Sequence, residues 1–137
     1  MLLDMSSFLE HSPQLYLTVI EGSRVLLEVD LLSFGKQYVS FGASTQNDIC
    51  FASSYGIVSS LHGSFLLQGG MCYIQDNGST NGIYVNGIKT TATPFAPGDV
   101  AIIGNIASRH YDSVMMMLSY EEATWRAVDL NSYNALS

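Results

Sequence analysis

At 137 residues, with 47% hydrophobic and 12% charged side chains, the chain is sized for one domain with a core and is neither a disordered segment nor a charged helical rod. Its formal charge of −7 argues against nucleic-acid backbones and anionic membranes as partners, because neutralising phosphate is the main affinity term on such polyanions. No apolar run approaches the roughly 18–20 residues of a membrane-spanning helix, and Asp4 and Glu10 stand where a secretory leader would carry basic residues, so a soluble, cytoplasmic domain is expected.

Residues 1–13 show little pattern and read as an N-terminal extension to a domain spanning 14–118. Leu15, Leu17 and Val19 alternate with Tyr16, Thr18 and Ile20, as in a strand with one face more buried than the other, and Glu21-Gly22-Ser23 then turns the chain. Further strands are expected at Val25–Leu31, Gln37–Phe41, Asp48–Phe51, Gly63–Leu67, Met71–Gln75, Ile83–Val85, Asp99–Ile103 and Val114–Leu118, with Gly69-Gly70 as a hairpin turn. Short β-rich runs separated by Gly, Asn, Ser and Pro indicate an all-β protein of two packed sheets. Cys50 and Cys72 lie inside strand-like segments and read as small buried hydrophobes in a reducing compartment. Met116 is expected to face away from Met115 and Met117, and Tyr120 and Trp125 are expected to be buried. Residues 119–137 form a C-terminal extension, in which Ser119 with Glu122 three residues on predicts a short helix before a polar tail or linker stub.

The segment Asp76 through Gly87 is the most informative stretch. Asn77-Gly78 and Asn86-Gly87 accept the positive dihedrals of tight turns, and Val85 and Ile88 flank the second as in a hairpin. Ser79, Thr80 and Asn81 lie between them and offer donors and acceptors without formal charge, which suits recognition. Ser59 and His62 lack the framing of a hydrolase nucleophile, and the glycines near Ser79 lack the Gly-Lys-Ser/Thr ending of a nucleotide loop. Asp76, Asn77 and Asn81 lack the alternating oxygens of a calcium loop, and His11 and His110 have no ligand-spaced partners. No enzyme, cofactor or metal is therefore expected. Asp76 and Asp99 are expected to tie down backbone N–H groups at strand ends.

In order, Phe41-Gly42, Asn47-Asp48-Ile49, Ser59-Ser60-Leu61-His62, Asp76 to Gly87 and Gly98-Asp99-Val100 to Gly104 resemble the forkhead-associated (FHA) domain, over about Leu15 to about Leu118. The resemblance implies a β-sandwich of about eleven strands in two sheets, with loops at one end that bind a phosphothreonine peptide. By position it implies phosphate contacts from Ser59 and Thr80, with Ser60 beside them in the recognition surface, and a peptide-backbone contact from Asn81. Gly42, His62, Asp76, Ser79, Gly82, Asn86 and Gly87 are its structural motif positions, with His62 propping the loop by internal hydrogen bonds.

The chain departs from this pattern at two cations: Ala43 replaces the arginine that follows the glycine, and Ser60 replaces the basic residue after the serine. Hydrogen bonds to charged groups contribute about 1.5–3 kcal/mol each, so losing two weakens phosphate binding by roughly 10²- to 10⁴-fold. No Lys or Arg occurs between Lys36 and Lys89, leaving Lys36, Lys89 or Arg109 as the candidates to reach in from flanking segments. The expectation is a protein-interaction module, or scaffold, with a degenerate pocket that binds without phosphate or holds phosphothreonine weakly. Its alternatives are a functional phosphothreonine-peptide domain in Ser/Thr kinase signalling, and a cytoplasmic assembly domain similar to those of the FtsK/SpoIIIE-type ATPases of type VII secretion.

Overall fold

The computed structural model describes residues 5–104 and 113–129, with side chains from 11 to 104 and 113 to 125. The strands run in the order β1 (Met5–His11), β2 (Gln14–Glu21), β3 (Arg24–Asp30), β4 (Tyr38–Gly42), β5 (Ile49–Cys50), β6 (Gly63–Gln68), β7 (Met71–Asp76), β8 (Ile83–Val85), β9 (Ile88–Thr90), β10 (Ala92–Pro94), β11 (Val100–Ile103), β12 (Val114–Glu121) and β13 (Thr124–Asp129). One sheet of five strands has the order β10-β7-β6-β4-β5 and another of six has the order β3-β2-β12-β11-β8-β9. The two are the all-β sandwich that the strand pattern implies. β1 and β13 form a separate antiparallel ribbon.

Period-two alternation builds the core. Leu15, Leu17 and Val19 of β2 are buried while their neighbours are half-exposed, and Val114, Met116 and Leu118 of β12 repeat the pattern opposite them. Met116 is buried and Met115 and Met117 are half-buried, as the alternation requires. Phe41 of β4 sits among three rings, with centroids 6.1 Å from Phe51, 6.0 Å from His62 and 5.0 Å from Phe65. Fully burying a side chain of this size contributes about 1.5–3 kcal/mol, so the aromatic group anchors the end of β4 and the residues that follow it.

The Gly69-Gly70 turn joins β6 to β7, both glycines having positive φ, and Asn86-Gly87 joins β8 to β9 with Val85 opposite Ile88. Four expectations are corrected. Ser119–Glu121 extend β12 by pairing with Tyr16, Leu15 and Gln14, and Thr124–Asp129 pair with β1, so the ladder satisfies the backbone groups that a short helix would have satisfied internally. Tyr120 and Trp125 are 51% and 62% exposed, Tyr120 lying on the part of β12 that pairs with β2 but not with β11, and Trp125 on the two-stranded ribbon. Cys50 is exposed at the end of a two-residue edge strand, whereas Cys72 is buried as expected. Asp30 caps a 3-10 turn, Leu31–Phe34, in which Leu31 is buried, so β3 ends one residue before the expected strand did.

Candidate functional site: one end of the sandwich

β4 ends at Gly42, β6 begins at Gly63, β7 ends at Asp76 and β8 begins at Ile83, which brings the connecting loops together at one end of the sandwich. Gly42 is where the loops pack most tightly. A Cβ there would lie 2.3 Å from the Ser60 carbonyl oxygen, 2.8 Å from that of Ser59 and 2.9 Å from the His62 nitrogen, all of them backbone atoms. Only glycine admits that approach. The adjoining backbone is stitched by Ala43 N–H donating to Ser59 O (3.0 Å), Ser44 N–H to Ser60 O (3.1 Å) and His62 N–H to Phe41 O (3.0 Å). Asn47, one of the few buried polar residues, donates its Nδ2 to the carbonyls of Ser44 (2.9 Å) and Ser60 (2.6 Å), while its Oδ1 is buried without a partner among the described residues.

His62 joins two loops. Ser59 N–H donates to Nδ1 at 3.0 Å, which makes Nδ1 the acceptor and assigns the proton to Nε2, which donates to Gly82 O at 3.0 Å. The ring is fully buried, and burial holds its pKa below the ordinary histidine value, partly opposed by the Gly82 carbonyl and by Asp76, whose Oδ1 lies 3.9 Å from Nε2. The 76–82 turn has its own internal frame: Ser79 Oγ–H and N–H both donate to Asp76 Oδ1, and Gly82 N–H donates to Ser79 Oγ at 3.0 Å. Gly82 has φ +74°, the left-handed conformation that lets the chain turn after Asn81.

Ser59 and Thr80 are brought side by side, since Thr80 N–H donates to Ser59 Oγ at 3.1 Å. The Ser59 hydroxyl, acting there as acceptor, keeps its own hydrogen to donate outward. Asn81 Nδ2 donates to Ile57 O at 2.9 Å, so this amide ties the 76–82 turn to the preceding loop and retains its Oδ1. Ser60 is exposed and enters these bonds through its backbone carbonyl. Asn86 and Asp99 lie further along: Asn86, at φ 50°, donates Nδ2 to Asp99 Oδ1 and accepts from Val100 N–H, both at 3.0 Å, and Asp99 Oδ2 accepts from Ala96 N–H. The Ala96 N–H, followed by Asn86, holds the Asp99 carboxyl below its usual range. Asn86, Gly87 and Asp99 thus shape the β8–β9 turn and the entry to β11.

Residues 39–104 match the family model of the FHA domain. The chain carries an FHA domain. Solved structures of similar fold include the Slr1951 protein from Synechocystis sp. (22% identity, TM-score 0.62, 80% of this chain and 98% of that one) and the FHA domain of CT664 from Chlamydia trachomatis (20%, 0.59, 77% and 95%). A third is the N-terminal FHA domain of Rad53p from S. cerevisiae, solved in complex with a phosphothreonine peptide (20%, 0.62, 79% and 94%). A comparison with curated proteins returns no match.

Within the FHA domain, the cations are distributed in a way that the sequence does not reveal. Lys36 Nζ lies 2.5 Å from Asp48 Oδ1, and Asp48 also accepts from Ser40 N–H and Oγ–H, so this lysine is engaged in an ion pair. The Lys36 ammonium, followed by the Ser40 amide, holds the Asp48 carboxyl below its usual range. Arg24 lies 3.6 Å from Glu21. Lys89 runs across Gly82, where a Cβ would meet its Cε at 3.0 Å and its Nζ at 3.8 Å. Arg109 and His110 lie outside the described residues. Position 43 is alanine, half-buried beside Ser59.

The sequence pattern did not single out Glu21 as a loop anchor. Buried at the end of β2, it accepts from Ser54 Oγ–H (2.7 Å) and N–H (3.0 Å) and pins the 52–56 loop to the opposite sheet; the Ser54 hydroxyl is the first cause of its lowered pKa. Separated by 33 positions, the pair carries no local signal. Among the described residues no group of three or more His, Cys, Asp or Glu is arranged to hold a metal, and no helix is long and apolar enough to cross a membrane.

Proposed function

We propose that this FHA domain is a cytoplasmic, non-enzymatic protein-docking module whose cleft engages a partner segment without requiring phosphate and holds phosphothreonine weakly. One observation carries this: Ala43 stands beside Ser59, where the family pattern has an arginine, and Lys36, six to eight residues earlier in the chain than the 42–44 turn, is occupied by Asp48. Ser59, Thr80 and Asn81 supply hydroxyl and amide groups, which suit the backbone and side chains of a docked segment better than a group of about −1.5 to −2 charge. The protein's own charge of −7 adds to the repulsion of such a group.

A second function, phosphothreonine recognition in kinase signalling, is favoured by the positions of Ser59, Thr80 and Asn81 and by the peptide bound to the Rad53p domain. A role as the assembly domain of a secretion ATPase rests on the same missing arginine, and neighbouring membrane-anchor and ATPase sequences in the full-length gene would distinguish it. Titration of matched threonine and phosphothreonine peptides separates the first two. The expected result is at most a few-fold preference for phosphate in the wild type, rising by roughly 10- to 100-fold in Ala43→Arg, the effect of one restored charged hydrogen bond. Micromolar binding by the wild type that is lost when the phosphate is removed would overturn the docking proposal.

A further inference from the structure

Lys89 occupies a place that the fold prepares for it. It lies on β9 opposite Tyr84, and the β8–β9 hairpin follows directly after the 76–82 turn. That hairpin carries the lysine stem back over Gly82, which is buried although it has no side chain of its own. A residue with a Cβ at position 82 would meet the stem at 3.0 Å and displace it by a few tenths of an ångström, while the φ of +74° is what calls for glycine in the turn. The ammonium group comes to rest one residue from Asn81 and two from Thr80 in sequence, and Thr80 is itself bonded to Ser59.

Arg24 and Lys36 each have a carboxylate within ion-pair distance, whereas Lys89 has none among the described residues. In a protein of charge −7, a lysine held against a recognition turn with no ion-pair partner among the described residues is available to an anion brought by something else. A lysine stem laid on backbone also keeps the head solvated and steerable, unlike one buried in an ion pair.

Resting on the docking function proposed above, we infer that Lys89 is the anion-contacting residue of this cleft, and that the partner segment presents an anionic oxygen, from a carboxylate or a phosphoester, to the 80–82 side of Ser59. The cation approaches from β9 instead of from position 43. A partner that places Asp, Glu or a phosphorylated residue there gains a charged contact, and one that places Lys or Arg there is rejected.

The test uses the full 137-residue chain and a displayed library of random, unphosphorylated linear peptides. Peptides selected on the wild type should carry Asp or Glu at a fixed position, perturb the backbone amide resonances of 80–82, and lose affinity as salt rises. Lys89→Met should weaken them by roughly 3- to 30-fold, Lys89→Arg should restore them, and Lys89→Glu should select basic residues at the same position. Resynthesis with phosphothreonine in place of the acidic residue distinguishes the sources: binding retained within a few-fold assigns a phosphoester, weaker binding a carboxylate, and binding tightened beyond a few-fold overturns the docking function. Selected peptides that perturb 59–60 and 79–82 but show no acidic preference, or bind Lys89→Met equally, overturn the role of Lys89 and leave docking intact. A selection in which no peptide perturbs these loops overturns the docking function, and the role of Lys89 with it.

Discussion

Replacing His62 with alanine removes the post that holds the 59–60 and 79–82 loops together. The ring is fully buried, makes two hydrogen bonds of 3.0 Å and lies 6.0 Å from Phe41 at an interplanar angle of 21°. Its loss strands the Ser59 N–H and the Gly82 carbonyl, at about 1–3 kcal/mol for each buried polar group left without a partner. It also empties a ring-sized space next to Phe41, a change that costs about 3–5 kcal/mol for aromatic residues in cores. Since water entering the space would satisfy part of the polar loss, the combined effect is expected near about 3–5 kcal/mol, a large share of a stability of roughly 5–15 kcal/mol. Urea unfolding followed by fluorescence should show this as a lower midpoint at an unchanged slope. The pH dependence gives a second readout. The folded-state pKa of His62 is lowered from 6.5, so between the two values the unfolded chain binds the extra proton; this part of the stability is complete above about pH 6.5 and is lost as the pH falls toward the folded value. His62→Ala should lack that slope while keeping the acid-side loss from Glu21, Asp48 and Asp99, whose lowered pKa values confine their contribution to pH above the folded-state titrations. A destabilisation below about 1 kcal/mol, or an unchanged slope from about pH 7 to 5, would refute the bridging role.

Gly42→Ala forces a methyl group into three backbone atoms at 2.3–2.9 Å and is expected to destabilise by about 1–3 kcal/mol while shifting the amide resonances of 59–62, and a spectrum superimposable on the wild type would contradict the packing. Asn86→Ala places a Cβ residue without turn chemistry at φ 50° and removes the links to Asp99 and Val100, at about 1–2 kcal/mol by thermal unfolding; Asn86→Gly should recover the backbone part only. At pH 8 a thiol reagent should label exposed Cys50 and spare Cys72, whose thiol is pushed up to about 12 by burial, until urea is added; equal labelling rates in the native protein would place Cys72 at the surface.

Much of the architecture was legible because it rests on short-range rules. Alternation predicted β2 and β12, and paired turn residues predicted the hairpins at 69–70 and 86–87. The 119–126 segment misled because the capping-box signal at Ser119 and Glu122 is local, whereas the ladder with Tyr16, Leu15 and Gln14 depends on residues about a hundred positions away. In the site, the resemblance to the FHA pattern is what grouped Ser59, His62 and Asn81 as expected members of one constellation. It did not distribute their bonds: that Ser59 Oγ would accept from Thr80, that Asn81 would reach Ile57, or that Glu21 would hold Ser54 are facts of the folded geometry. The cations show the same limit, since three lysines and arginines equally flanking in sequence proved to be one paired with Asp48, one draped over Gly82 and one outside the described residues.

The Asp76–Ser79–Gly82 frame separates keeping a shape from choosing a guest. Because a carboxylate and a hydroxyl close the turn from within, the side chain of Thr80 carries little of the burden of maintaining it, whereas Asn81 also fastens the turn to Ile57. A change at position 80 can therefore retune what is recognised while the scaffold stays folded.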